Sequence, residues 1–232
     1  MLDLHSHILP EMDDGSKSAE QSRQMLALMG QQGVRTVVAT PHFYASRDLP
    51  EAFLERRDKA VSLLGATNPT HPRVILGAEV AYFDGMGRSE QVLRQLQLGD
   101  SGLLLVEMPF GEWNKRMIRE ICDLPLQTGL TPVLAHVDRY RGREQFPRAM
   151  EELLDCGTLF QCNADAFLHF GSRSWALKLL RADALHFLGS DTHNLTTRKP
   201  NLGDAAAVIT KKLGSDTLAE LMSFAHERLL GE

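Results

Sequence analysis

Aromatic residues make up only 6% of this 232-residue chain, and its 25 Lys+Arg are outnumbered by 30 Asp+Glu, leaving a formal net charge of −5. No Lys/Arg run is longer than a pair such as Lys211-Lys212. The chain therefore offers no basic patch to a phosphate backbone or an anionic membrane, and neither nucleic acid nor a lipid surface is an expected partner. No apolar run nears the ~18 residues that span a bilayer, so no membrane insertion is expected. The N-terminus lacks a basic segment followed by an apolar one, which points to the cytoplasm. Cysteine is scarce too: Cys122, Cys156 and Cys162 are odd in number and lack C-x-x-C spacing, so they read as free core thiols in a reducing compartment, without a disulfide framework.

Other absences exclude chemistries. There is no P-loop and no G-x-S-x-G elbow, and Gly85-Met86-Gly87 is not followed by the third glycine of a dinucleotide fingerprint. A thiol phosphatase needs an arginine six positions after its cysteine, where this chain has Thr128, Cys162 and Leu168. No repeat, low-complexity tract or long Pro/Gly/Ser linker interrupts the chain, so residues 1–232 are expected to form one domain.

What is present is a recurring short apolar run that ends in polar residues: 2–6, 36–40, 74–80, 103–107, 132–136, 159–163 and 186–191, seven candidate strands. Helix-like stretches lie between them at 18–32, 51–64, 115–128, 148–156 and 174–182, and 202–230 follows the last strand. In the first, Met25, Leu26, Leu28 and Met29 form an apolar stripe and Gly33 supplies a stop. Strands apolar on both faces and alternating with helices imply a covered parallel sheet. Seven such units predict a β/α barrel, with an open doubly wound sheet as the alternative.

Nine histidines stand out, and five of them (His5, His7, His42, His136, His193) fall at or just past the C-terminal end of a predicted strand. Four carboxylates, Asp14, Glu79, Glu107 and Asp191, fall there too. Those ends open onto one face of a parallel α/β fold, where distant residues converge. Crowded carboxylates repel and take up protons unless a cation neutralises them, so this set predicts bound divalent metal. His5-x-His7 and Asp191-x-His193 each place two ligands on the same side of a strand. Nine ligands exceed one coordination sphere, which predicts two or three ions with Glu79 bridging a pair. Cysteine-free ligation favours Mn, Fe or Zn in a catalytic role. Arg139 and Arg198 follow the ligands closely and read as clamps for phosphate oxygens. Asn163 reads as an orienting or a capping residue, and Phe43, Tyr44 and Phe83 as walls of an aromatic pocket or as loop core. His71, His169, His186 and His226 read as structural, with an approach to the rim of the site left open for His169. Chemistry alone does not separate Asp13 from Asp14.

Taken together, Leu4-His5-Ser6-His7-Ile8-Leu9-Pro10 with Asp13-Asp14-Gly15, Ala39-Thr40-Pro41-His42, Glu79, Glu107, His136 with Arg139, and Ser190-Asp191-Thr192-His193-Asn194 with Arg198 resemble the PHP (polymerase and histidinol phosphatase) superfamily. The nearest resemblance is to its bacterial manganese-dependent protein-tyrosine phosphatases, encoded with capsule and exopolysaccharide genes. It implies a distorted seven-stranded β/α barrel of the TIM-like, PHP type with a trinuclear site. One ion would be held by His5, His7, Glu79 and Asp191, a second by Glu79, Glu107 and His136, and a third by Asp14, His42 and His193. It also implies that Arg139 and Arg198 bind phosphate and that a metal-bridging hydroxide hydrolyses phosphotyrosine. The implied partner is the tyrosine-rich tail of a bacterial tyrosine kinase. Val137-Asp138, where the family usually has Pro-Glu, and Cys162-Asn163-Ala164-Asp165 depart from the pattern on the substrate rim, not among the ligands. Two other readings remain open: a small-molecule phosphomonoesterase such as a histidinol phosphatase, and a non-catalytic metal-binding regulator.

Overall fold

A computed structural model describes residues 1–65 and 68–231. In chain order the elements are β1 (Leu2–Ser6), α1 (Ala19–Gln31), β2 (Thr36–Ala39), β3 (His42–Phe43), α2 (Pro50–Leu64), β4 (Arg73–Leu76), β5 (Glu79–Ala81), α3 (Glu90–Leu96), β6 (Leu103–Glu107) and α4 (Lys115–Thr128). They continue with β7 (Thr131–Leu134), α5 (Phe146–Asp155), β8 (Leu159–Asn163), α6 (Asp165–Leu168), α7 (Phe170–Arg181), β9 (Phe187–Gly189), α8 (Leu202–Leu213) and α9 (Ser215–Leu230).

All strand pairings are parallel: β1-β2-β4 form one sheet, and β3-β5-β6-β7-β8-β9 form a second. The sequence led us to expect seven strands. The run 74–80 is split into β4 and β5 by Gly77-Ala78, and β3, outside the expected run 36–40, continues β2 as a second half past Pro41, which has no N–H to donate to the ladder. The halves stay in line, so the two sheets run into one another as a curled parallel sheet. At its far edge the segment after β9 returns to β1: Asp191 N donates to His5 O (2.8 Å) and His7 N to Thr192 O (2.9 Å).

The strands are buried on both faces, which is why they read as continuous apolar runs. Alternate residues enter different clusters. Leu2, Leu4, Leu103, Leu105 and Phe187 pack with Ala225 and Leu229 of α9, whereas Leu104 and Val106 pack among residues of the surrounding helices. Each such side chain contributes roughly 1.5–3 kcal/mol by leaving water. Helix α1 is capped by Ser18, whose hydroxyl accepts Gln21 N–H, and it buries Met25, Leu26 and Met29. The stretch 202–230 is two helices, because Gly214, at φ 100°, ends α8 in a conformation open to glycine. The short helices α3 and α6 gave no periodic signal in the sequence.

The cysteine expectation is corrected. Cys122 of α4 and Cys156 at the end of α5 form a disulfide, with Cα atoms 5.4 Å apart, and Cys162 alone is a buried free thiol. Spacing along the chain hides this pair, because α4 and α5 become neighbours only when β6, β7 and β8 pair in order. Among the described residues no helix is long and apolar enough to cross a membrane.

Candidate metal centre

The strand ends bring all nine candidate ligands together around Glu79. Register places His42 opposite Glu79 in the β3–β5 pair. Glu79 Oε2 lies 2.9 Å from His42 Nδ1, 3.2 Å from His5 Nε2 and 3.3 Å from His7 Nε2. Its other oxygen, Oε1, lies 2.9 Å from His136 Nε2, which is 3.2 Å from Glu107. Asp191 Oδ1 is 3.5–3.6 Å from ring nitrogens of His5, His7 and His193. Asp14, the one largely exposed ligand candidate, is 3.3 Å from His193 Nε2 and 3.6 Å from His42 Nε2. Three groups of donor atoms are each compact enough for an ion: His7, Asp14, His42 and His193; His5, His7 and Glu79; His42, Glu79 and Glu107. They overlap at His7, His42 and Glu79, with His136 and Asp191 on their border.

The protonation pattern says what this cluster accepts. Gln161 Oε1 receives the backbone N–H of His136 at 2.7 Å, so it is the carbonyl oxygen, and His5 Nδ1, 3.1 Å away, must donate to it. His7 Nδ1 donates to Asp13 Oδ2 (2.7 Å) and His193 Nδ1 to the carbonyl of Asp191 (2.9 Å). Each of these three rings in its neutral form keeps its lone pair on Nε2. His5 Nε2 and His7 Nε2 lie 3.1 Å apart, beside Glu79 Oε2. Glu79 Oε2 and His193 Nε2 are also buried without a hydrogen-bond partner. Imidazole nitrogens converging on a buried carboxylate are a donor set that suits a divalent cation, with the Nδ1 acceptors holding the rings in place. The residues present fit a metal centre.

Electrostatics agree. Burial works against a charged imidazole, but Asp13 and Glu79 lift His7 to about 10, and Glu107 and Glu79 lift His136 to about 9. Burial also opposes ionisation of Glu79, yet the surrounding histidines, His5 foremost, hold it well below the usual carboxylate range. His193 goes the other way, lowered to about 4 by burial and by His7 and Arg198. The cavity thus draws positive charge to the atoms that would bind metal, and a metal ion would displace protons there.

Both arginines reach the same carboxylate. Arg139 donates to Asp191 Oδ2, and Arg198 Nη2 lies 2.7 Å from Asp191 Oδ1. Each stays about one-third exposed, so both guanidinium groups border the opening and the buried site. His136 and Asp191 adopt positive φ, 33° and 51°, a costly conformation for non-glycine residues that clusters where function over-determines geometry. Gly189 and Gly15 lie under the cluster. A Cβ on Gly189 would meet His5 Cβ at 2.6 Å, and one on Gly15 would meet His7 O at 2.3 Å.

Three residues at this site were missed by sequence reasoning. Asp13 orients His7 and accepts His42 N–H (3.0 Å), Gln161 orients His5, and Phe110 stacks on His136. The Asp13-Asp14 pair was a visible signal, whereas nothing in the chain's pattern marks Gln161 or Phe110. Asn163 orients rather than caps, donating to Asp191 Oδ2 at 2.9 Å. Phe43 is core, Phe83 packs against it, and Tyr44 lies beside His42. His169 is exposed, His186 accepts Phe160 N–H, His226 faces the carbonyl of Met222, and His71 takes no part in the cluster.

A parallel α/β fold with nitrogen and oxygen donors converging from successive strand ends, bordered by two arginines, defines a protein with a candidate metal centre. The chain belongs to the CpsB/CapC family of capsular polysaccharide synthesis, which it matches over residues 1–231. It is 32% identical to tyrosine-protein phosphatase YwqE of Bacillus subtilis over 93% of this chain and 86% of that one. It is also 32% identical to tyrosine-protein phosphatase CpsB of Streptococcus pneumoniae, over 95% and 94% of the two chains. A crystal structure from a study of YwqE and CpsB, described as unique metal-dependent tyrosine phosphatases, superposes with a TM-score of 0.85 at 31% identity, covering 99% of this chain and 94% of that one.

Proposed function

We propose that this chain is a metal-dependent phosphoric monoester hydrolase that removes phosphate from phosphotyrosine in proteins. The observation that carries the reading is Glu79, whose two carboxylate oxygens are divided between His136 on one side and His5, His7 and His42 on the other, next to two arginines on Asp191. The relatives' names support the substrate class.

His5, His7, Asp14, His42, Glu79, Glu107, His136, Asp191 and His193 would hold two or three divalent ions, with manganese the expected metal. When bound, the ions supply a water acidic enough to act as nucleophile near neutral pH and positive charge opposite the phosphoryl oxygens. Arg139 and Arg198 present planar donor forks to the non-bridging oxygens and stabilise the charge that builds on them in the transition state. Gln161, Asp13 and the Asp191 carbonyl hold His5, His7 and His193 with Nε2 facing inward, so little reorganisation remains at the moment of reaction. Closure of the curled sheet into a distorted seven-stranded barrel is part of this reading, supported by the hydrogen bonds between the segment after β9 and β1. So is a cytoplasmic setting, with the tyrosine-rich tail of a bacterial tyrosine kinase of capsule or exopolysaccharide synthesis as the substrate.

The test is phosphate release with Mn²⁺ from a phosphotyrosyl peptide, its phosphoseryl counterpart and histidinol phosphate, each repeated with EDTA and with His136→Ala. Turnover that prefers phosphotyrosine and is abolished by EDTA and by the substitution is the expected result. Preference for histidinol phosphate would move the chain to a small-molecule branch, and bound metal without turnover would make it a regulator.

A further inference from the structure

Phe110 is half exposed, 51% accessible, at the edge of a densely charged cavity, where an apolar ring gains nothing from its surroundings. It is nevertheless built in. Its ring stacks on metal-ligand candidate His136, with centroids 5.9 Å apart and planes 17° apart, and its other neighbour is Tyr140 at 5.8 Å. Tyr140 is fully buried, anchored by a 2.8 Å hydrogen bond to Met108 O, and leads through Trp113 (4.8 Å) to Phe146. The loop itself is pinned by Trp113 Nε1 to Pro109 O (2.8 Å) and by Arg143 to Gly111 O. Phe110 is thus the exposed end of a rigid aromatic column.

A second ring occupies the other flank. Tyr44 lies 5.3 Å from His42, one of the three histidines on Glu79 Oε2, while Phe110 covers His136, the histidine on Glu79 Oε1. The strand order β3-β5-β6-β7 fixes this: Tyr44 follows β3, Phe110 follows β6, and Glu79 begins β5 between them. Arg47 covers one face of Tyr44, 4.0 Å from its centroid, which immobilises that ring too. Glu79 thus lies between two histidines, each backed on its outer side by an aromatic ring.

We infer that Phe110 and Tyr44 form the aryl-recognition element of the site, contacting the phenyl ring of a phosphotyrosyl residue and so setting preference for aryl over alkyl phosphate monoesters. This rests on the phosphatase reading above and names the groups that select its substrate. Stacked or edge-on aromatic pairs attract each other beyond what area burial alone supplies. Phosphoserine has no ring to reach either wall.

The test separates ring from phosphate. Binding of phenylphosphonate and of inorganic phosphate to Mn²⁺-loaded protein is measured by calorimetry for wild type, Phe110→Ala, Phe110→Trp, Tyr44→Ala and Tyr44→Phe, alongside KM for a phosphotyrosyl peptide. The expected result is a loss of roughly tenfold in phenylphosphonate affinity, with a matching rise in KM, for each alanine variant. Inorganic phosphate affinity should stay unchanged, and the aromatic replacements should retain wild-type values. Equal weakening of both ligands would reduce Phe110 to a buttress of His136, and unchanged phenylphosphonate affinity would remove the ring contact; either overturns the inference. Wild-type protein without phosphatase turnover would overturn the phosphatase reading instead, and the calorimetry would still decide whether the rings bind an aryl group.

Discussion

His5 and Gln161, separated by 156 positions in the chain, meet at 3.1 Å, and the same Gln161 oxygen also takes the backbone N–H of His136. One amide therefore fixes the ring of one ligand candidate and the main chain of another. Replacing Gln161 with Leu should lower metal affinity by roughly 10–100-fold, the usual cost of losing such an orienting partner. Competition with a chelating dye measures the affinity. Activity of the variant should recover at high Mn²⁺, which a direct ligand substitution such as Glu79→Gln should not allow.

Arg139 and Arg198 both reach Asp191, so a purely structural role for them predicts loss of metal, whereas phosphate binding predicts loss of anion affinity. We expect Arg198→Ala and Arg139→Ala to cut kcat/KM by roughly 100-fold or more while bound metal, counted by elemental analysis, is retained. Inorganic phosphate should become a weaker inhibitor in both. Arg198→Lys should recover only part of the loss, because an ammonium keeps the charge but not the fork.

Acid stability is set partly away from the site. His186 accepts Phe160 N–H through Nδ1 at 3.0 Å, and burial together with Arg228 lowers it to about 4. The unfolded chain, with His186 near 6.5, binds more protons than the folded one between those values, so this contribution is complete above pH 6.5 and is lost as pH falls toward 4. The loss approaches roughly 3 kcal/mol at most. His186→Gln, which stays neutral, should flatten the stability slope across that window in urea titrations; an unchanged slope would assign the acid sensitivity to other groups.

The Cys122–Cys156 cross-link closes a 34-residue separation between α4 and α5, for which chain entropy predicts stabilisation of roughly 3–4 kcal/mol. Reduction, or the Cys122→Ser and Cys156→Ser double change, should lower the melting temperature by on the order of 10 °C without changing phosphatase activity. Thiol titration in denaturant should find Cys162 alone before reduction and all three cysteines afterwards.

The sequence by itself determined the parallel α/β alternation and the nine converging side chains. Both follow from local rules: strands buried on both faces read as apolar runs, ligands spaced two apart share one side of a strand, and strand C-terminal ends face one way. Helix α4 was legible to the residue, because its apolar spacing lies between the Asn114 cap and Gly129. Tertiary structure decided the rest. Gln161 became the orienting partner of His5, Phe110 came to lie over His136, and Cys122 met Cys156 only once strand order had set which segments are neighbours. Those contacts join residues 156, 26 and 34 positions apart, and no short-range periodicity encodes them.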